Sequence, residues 1–563
     1  MASARTIYAL LGRIYGPEKG AEAFGRVMPL IETFDCQPSR DPSFFSQGDM
    51  VLITYGDTLS QSHELPLVTF HRFARRFLKN VVSGVHFLPF FPSSSDDGFA
   101  VKDFFRIDEK LGDWDDVARI GEDFNLMVDF VINHFSSRSE WFRSYLNGRP
   151  GFADFAIETD PRADLSRVTR PRSLPLLTPF QKADGRTVHL WTTFSADQID
   201  FNYASLDVLE KMIAVLLFYV AKGARLLRLD AVAYLWKSVG TACIHRPQTH
   251  DIVRLFRQIL DLTAPDVLIV TETNVPHEEN IRYFGNGADE AQMVYNFTLP
   301  PLLFYTFVNQ DATTLSRWAA QLAPPSKKTA FFNFTASHDG IGVRPLEGIL
   351  PGEAIDRLAA VVKESGGQVS TRDNPDGDRS PYELNITYVD AILADPRSNN
   401  ADKFLASQAI AYSLPGVPAT YIHSLLGSRN WPAGVRQTGR ARTINREKLD
   451  LMQVLAALND PDSFRARVFF PYLEMIRLWR RQPAFHPQAA FAVLDVGPGL
   501  FAIRRWDGDQ QVAALTNVTS QPVTVDLRTI GMAAPVVDLV ANRPLDTGRL
   551  TLKPYQYAWL DHA

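Results

Sequence analysis

Ala224-Arg-Leu-Leu-Arg-Leu-Asp-Ala-Val-Ala-Tyr234 is an apolar run that carries one arginine and then one carboxylate, Arg228 and Asp230. A spacing of two predicts both side chains on one face of a strand. A charge in a short buried strand needs a partner. Taken alone, the pair is as compatible with tying down a loop at the strand end as with chemistry. The rest of the chain decides between them.

Working outward, seven more short apolar runs share its character: Val51–Tyr55, Val85–Phe90, Leu126–Ile132, Val267–Thr271, Met293–Phe297, Ala330–Phe334 and Val417–Ile422. Helical patterns such as Leu206–Tyr219 and Ile252–Leu262 lie between them. Strands alternating with helices predict a parallel sheet, and eight of them predict an α/β fold of the (β/α)8 TIM barrel type. The barrel is expected over 49–135 and 194–487. Its two interruptions are an inserted domain at 136–193, rich in Pro, Arg and Asp, and a long acceptor-loop or lid segment at 340–412. Residues 1–48 predict a helical N-terminal extension, because Ile7, Leu10, Leu11, Ile14 and Tyr15 share a stripe, as do Phe24, Val27, Met28 and Ile31. Short strands at Val493–Val496, Leu500–Arg504, Val512–Leu515, Val523–Val525 and Tyr557–Leu560 predict a C-terminal antiparallel β domain over 488–563.

Composition narrows the function. With 45% hydrophobic and 21% charged residues, the chain reads as a globular protein. A net charge of −5 gives nucleic-acid binding no support. Two cysteines far apart, Cys36 and Cys243, argue against a disulfide scaffold and a cysteine zinc site. No signal-peptide pattern and no apolar span of membrane length occur, so a cytoplasmic enzyme is expected. The sequence leaves room for a homodimer.

In a (β/α)8 barrel the chemistry sits at the C-terminal ends of the strands. Those ends carry Gly56-Asp57, Ser93-Ser-Ser-Asp-Asp-Gly98 with Asp103 beyond, Asn133-His134, Arg228 with Asp230, Glu272, and His338-Asp339. Among them the carboxylates Asp230, Glu272 and Asp339, with His134, His338 and Arg228, converge on one mouth. Two carboxylates flanking a bond are what glycosyl transfer requires, one to attack the anomeric carbon and one to protonate the leaving oxygen. An arginine beside the nucleophile keeps it ionised. Asp, Glu and His also bind metals, but no HxH or HExxH pair occurs, so neither a metal nor a cofactor is expected.

Four short stretches, Asp129-Phe-Val-Ile-Asn-His134, Leu227-Arg-Leu-Asp-Ala231, Val270-Thr-Glu-Thr273 and Ala336-Ser-His-Asp339, resemble in order the motifs of the α-amylase superfamily. The resemblance implies Asp230 as nucleophile, Glu272 as general acid/base and Asp339 as transition-state stabiliser. Arg228, His134 and His338 would bind the donor sugar. Leu52-Ile-Thr-Tyr-Gly-Asp57, Gly84-Val-His-Phe-Leu-Pro-Phe90, His338-Asp-Gly-Ile-Gly-Val343 and Ile444-Asn-Arg446 are most similar to the sucrose phosphorylase branch. By that likeness Asp57, Asp103, Phe194, Gln198, Tyr234 and Arg442 line a pocket for one glucosyl unit. Phe104 departs from the branch, where a histidine or tyrosine stands.

The branch transfers glucose to inorganic phosphate, and Arg172 of the inserted domain matches its phosphate-binding arginine. The acceptor loop, Gly377-Asp-Arg-Ser-Pro-Tyr-Glu-Leu-Asn385, has Ser380 where sucrose phosphorylases carry an aspartate. Arg379 precedes it, Tyr382 follows, and Glu383 replaces a glutamine. An acidic contact is lost and a cation gained, which favours an anionic leaving group. With Thr169-Arg-Pro-Arg172 and Leu426-Gly-Ser-Arg429-Asn430, this pattern looks most like the glucosylglycerate phosphorylases. The implied activity is reversible phosphorolysis of 2-O-α-D-glucosylglycerate. The rivals are phosphorolysis of sucrose or of sucrose 6′-phosphate, and, more distantly, a silent sugar-binding barrel.

Overall fold

The computed structural model describes residues 3–35, 44–171, 174–373, 378–532, 535–545 and 548–562. Eight parallel strands close into a barrel: β1 (Val51–Thr54), β2 (Gly84–Phe87), β3 (Asn125–Val131), β4 (Ala224–Asp230), β5 (Leu268–Thr271), β6 (Met293–Tyr295), β7 (Ala330–Phe334) and β8 (Val417–Tyr421). Neighbours in space are neighbours in sequence, and β8 pairs with β1. Each apolar run quoted above became one of these strands. Barrel strands are covered by helices outside and filled by side chains inside, so both faces are buried and the sequence is apolar throughout.

The N-terminal extension is a hairpin of two helices, α1 (Ala4–Tyr15) and α2 (Pro17–Glu32). Ser3 caps α1 by accepting from the Thr6 N–H, and Gly16 joins the two at a φ of 84° that favours glycine. Ile7, Leu10, Leu11 and Ile14 are buried, as are Ala23, Val27 and Ile31 of α2, while Phe24 and Met28 stay at the edge of the core. Two arginines fasten the hairpin to the barrel's outer helices α3 (Leu206–Ala221) and α4 (Pro247–Thr263). Arg26 donates to Glu210 at 2.8 Å, and Arg13 donates to Asp251 at 2.8 Å.

The inserted segment after β3 holds a helix, Glu140–Leu146, and a hairpin of Leu177–Gln181 with Thr187–Trp191. The segment after β7 is more ordered than its polar sequence predicts. It contains the helix Gly352–Glu364 and a three-stranded sheet of Ile341–Gly342, Arg379–Asn385 and Gln368–Asp373. Ala354, Leu358, Ala359 and Val362 are buried at helical spacing, a period that the glycines and prolines around it obscure. The helix Ala401–Ser413 at its end belongs to the barrel wall and packs against β7.

The C-terminal domain is a six-stranded antiparallel sheet in the order 490–493, 500–507, 510–517, 557–562, 536–538 and 543–545, plus the pair Val523–Asp526 and Arg549–Leu552. Three of these strands, at 536–538, 543–545 and 549–552, are not expected from the sequence; they are three to four residues long. The buried Arg505 guanidinium ties this sheet to the barrel by donating to the carbonyls of Ser413 at 2.9 Å and His486 at 2.7 Å.

Leu11 is fully buried between the hairpin and the barrel helices. Leu11→Ala is expected to cost roughly 3 kcal/mol and to lower the urea midpoint of a single unfolding transition. A separate early transition carrying the whole loss would instead show that the hairpin unfolds on its own.

Candidate active site

Asp129 of β3 and Arg228 of β4 are register partners on adjacent strands, and Val270 of β5 is level with them. Arg228 Nη1 donates to Asp230 Oδ1 at 2.9 Å and pairs with Asp129, while its Nη2 lies 3.8 Å from Glu272 Oε2. His86 of β2 reaches Asp129 from the far side, with Nε2 2.9 Å from Oδ2. Four consecutive barrel strands thus feed one buried cluster. Immediately after Asp230 the backbone enters the left-handed region at Ala231, with φ 50° and ψ 32°. That conformation disfavours a residue with a Cβ. It aims the Ala231 N–H at Glu272 Oε2, 3.0 Å away, so the strain holds the second carboxylate in place.

Asp339 is held by a second cation. Arg442 Nη1 lies 2.6 Å from Asp339 Oδ1, and the same guanidinium grips Glu383, with Nε 2.8 Å from Oε1. Arg446 donates from Nε to the His338 carbonyl at 2.7 Å and pairs with Asp97. Gly340 permits this assembly. A Cβ there would lie 2.7 Å from Glu383 Cγ and 2.7 Å from the Leu384 carbonyl.

Burial alone would raise the Asp339 carboxyl, but Arg442 above all, then His338, Arg446 and Arg228, pull it well below the usual carboxylate range. Burial pushes both Asp230 and Glu272 up, against the opposing pull of Arg228. Repulsion from Glu272, Asp129 and Asp339 adds to the rise at Asp230, and repulsion from Asp339 and Asp129 adds to it at Glu272. Such a pair keeps one proton between its members. The arginine is closer to Asp230, at 2.9 Å against 3.8 Å for Glu272, which favours charge on Asp230 and the proton on Glu272. Burial lowers His134 to about 4 and His338 to about 3, so both imidazoles are neutral donors or acceptors near neutral pH.

An open cavity of about 770 Å³ sits over these groups. It is lined by Asp230, Glu272 and Asp339, and by His134, Phe194, Gln198, Tyr234, His338, Tyr382, Glu383 and Arg442. Phe194 stands edge-on to Tyr234, with centroids 5.6 Å apart, and His338 stacks on Phe99 at 4.7 Å. A wider outer chamber continues from it past Asp96, Gln198, Tyr382, Glu383 and Arg442.

Five expected positions do not line either space among the described residues. Asp57 is ion-paired with Lys448 at the rim. Asp103 closes its own turn by accepting from the Phe105 N–H at 2.9 Å. Arg228 lies beneath the floor, 2% exposed, and its guanidinium is occupied by carboxylates; it holds Asp230 and Glu272 rather than meeting a ligand. Arg379 opens its hairpin strand as an exposed residue. Phe104 is also no part of the pocket wall. It is buried and stacks on Trp141 at 5.0 Å, so its lack of a hydrogen-bonding group is a packing matter. Arg172 lies outside the described residues. Asp96 takes the place expected of Asp57 and Asp103. It belongs to the Ser93–Gly98 turn, where Asp96 and Asp97 both have positive φ, and the only trace in the sequence is the Asp-Asp-Gly at the end of that stretch. Phe99 and Phe297 also line the wall without any polar signature in the sequence, and so does Asn274, a polar residue two positions after Glu272.

Arg228→Met leaves three buried carboxylates facing one another. Breaking such a cluster costs about 3–5 kcal/mol, so a lower melting temperature and loss of turnover are both expected; an unchanged melting temperature would contradict the central role given to this guanidinium. Asp339 gives a pH test. Its folded-state pKa is depressed, so its stabilisation is complete above the unfolded value and is lost as pH falls toward the folded value. The urea midpoints of wild type and Asp339→Asn should therefore differ most near pH 7 and converge as the pH is lowered below about 4.

Residues 76–340 match the family model described as alpha amylase, catalytic domain, and residues 500–560 match one described as D-apionate lactonase, C-terminal immunoglobulin-like domain. The chain is 50% identical over 521 residues to the glucosylglycerate phosphorylase of Spirochaeta thermophila, covering 91% of this chain and 88% of that one. It is 46% identical to the glucosylglycerate phosphorylase of Escherichia coli, covering 98% of each. Among solved structures, sucrose 6F-phosphate phosphorylase from Thermoanaerobacter thermosaccharolyticum superposes with a TM-score of 0.74 at 26% identity, covering 84% of this chain and 94% of that one. The chain therefore belongs to the α-amylase superfamily of glycoside-active enzymes, in the sucrose phosphorylase branch that also contains the glucosylglycerate phosphorylases.

Proposed function

We infer that the chain is a retaining glycoside phosphorylase. It converts 2-O-α-D-glucosylglycerate and inorganic phosphate reversibly into α-D-glucose 1-phosphate and D-glycerate. The observation that carries this reading is the near-full-length identity of 46–50% to two glucosylglycerate phosphorylases, joined to a cavity that presents Asp230, Glu272 and Asp339 together.

In the proposed mechanism Asp230 attacks the anomeric carbon as the bond to the glycerate oxygen breaks. Glu272 gives its proton to that oxygen. Asp339 steadies the positive charge that develops on the sugar ring. The product is a β-glucosyl ester on Asp230 and free glycerate. Phosphate then enters from the vacated side, gives a proton to Glu272 and displaces Asp230, which restores the α configuration. His134, His338, Gln198 and Tyr234 would hold the glucosyl unit. Phosphate binding is assigned to Arg172 by its resemblance, supported by its neighbour Pro171 lining the cavity. The reaction as written needs no cofactor. No helix among the described residues is long and apolar enough to cross a membrane; with the cysteine content, that supports a cytoplasmic location. A homodimer, readable by light scattering, belongs to the same proposal.

Asp230→Asn should lower turnover in both directions by more than about a thousandfold. With glucose 1-phosphate as donor, a panel of D-glycerate, fructose, fructose 6-phosphate and water should give rapid transfer to glycerate alone. Preference for fructose or its phosphate would move the chain to the sucrose-type activities. Free glucose regardless of acceptor would mark a hydrolase, and loss of activity in chelator a metal enzyme.

A further inference from the structure

Among the described residues three arginines line the outer chamber, and they are not equivalent. Arg442 is occupied by Asp339 and Glu383, and Arg446 by the His338 carbonyl and Asp97. Arg446 keeps its buried Nη2 without a hydrogen-bond partner, 3.8 Å from Asp339 Oδ1, but both guanidiniums already face a carboxylate. Arg440 differs. It lines the chamber, is exposed, and among the described residues its guanidinium makes no hydrogen bond or ion pair.

Its backbone is nevertheless fixed. The Arg440 N–H donates to Thr438 Oγ1 at 3.2 Å, and its carbonyl accepts from the Thr443 N–H at 3.2 Å. Gly439, at φ 67°, ends the helix Pro432–Thr438 one residue earlier. The side chain therefore projects from a held turn.

The neighbouring cations do not compete for this role. Arg344 and Arg372 both engage Glu347, at 3.6 Å and 2.9 Å, and Arg170 donates to the Leu174 carbonyl. An anionic acceptor in this chamber would stand near Asp96 and Glu383, whose charges repel it. It needs a cation that those carboxylates have not already neutralised. We propose that Arg440 receives the acid group of the acceptor, a small hydroxy acid's carboxylate, and so sets the preference for anionic over neutral acceptors.

The inference rests on the phosphorylase reading, and the experiment separates the two. Wild-type enzyme, Arg440→Met and Arg440→Lys are given glucose 1-phosphate with sub-saturating D-glycerate. The ratio of glucosylglycerate to free glucose is measured for each. That ratio compares an anionic with a neutral acceptor on the same glucosyl-enzyme, so a general loss of activity leaves it unmoved.

In Arg440→Met it should fall at least about tenfold, and Arg440→Lys, which keeps the charge but loses the fork, should lie between. An unchanged ratio in the Met variant overturns the proposal. So does a rise in the KM for phosphate during phosphorolysis without a change in the ratio, since the anion served would then be phosphate. If wild type itself transfers nothing to glycerate, fructose or fructose 6-phosphate, the phosphorylase reading falls and this inference with it; transfer to fructose but not to glycerate overturns this inference alone.

Discussion

One guanidinium sets the terms for the rest of the site. Arg228 is 2% exposed and faces Asp129, Asp230 and Glu272, from three different strands. Removing a charge from water is costly unless it is well paired. Here the pairing is possible only where parallel strands place their residues level, as the register of Asp129 with Arg228 does. Three carboxylates against one fixed cation leave an excess of negative charge, and burial makes that excess costly. A proton shared by Asp230 and Glu272 relieves it. The same cluster that stabilises the barrel mouth thus supplies what glycosyl transfer needs, one carboxylate charged and another protonated. His86 reaches Asp129 from behind and gives this aspartate a further partner, which leaves more of Arg228 for the catalytic pair.

A second layer couples the acceptor segment to the chemistry. Glu383 lies on a strand of that segment and is 3% exposed, yet its partner Arg442 also holds Asp339. A displacement of the strand would carry Glu383 with it and leave Arg442 to redistribute toward Asp339. The close approach depends on Gly340, beside the catalytic Asp339 in sequence and against Glu383 in space. The strand of Glu383 and Asp339 therefore share a guanidinium.

The barrel was legible because parallel strands buried on two faces read as unbroken apolar runs, and the three central carboxylates because they terminate such runs. Loops offered no comparable rule. Asp57 and Asp103 have the right residue type near the right strand ends, but one is paired with Lys448 and the other closes its own turn. Asp96, two residues from Gly98 in a turn with positive φ, is the aspartate that reaches the cavity. Phe104 reads as a lost polar contact because the sucrose phosphorylase branch has a histidine or tyrosine there; its ring is part of a stack with Trp141. The extra C-terminal strands were too short for a period of two to stand out.

Sequence order and the fold put forward different acceptor arginines. Arg379 sits in the loop whose sequence changes most from the sucrose-specific pattern, so the gained cation was sought there. Tyr382 and Glu383 lie in the middle of their strand, where the register with its neighbour shifts, and both line the cavity, while Arg379 opens the strand as an exposed residue. Arg440, sixty-one residues on and in a stretch where nothing marks it, comes to the chamber because the helix Pro432–Thr438 stops at Gly439. The charge that matters to a ligand is not the one gained in the sequence but the one left uncompensated in the fold. Arg442 and Arg446 are each spent on holding catalytic residues in place, and that leaves recognition to the arginine that holds nothing.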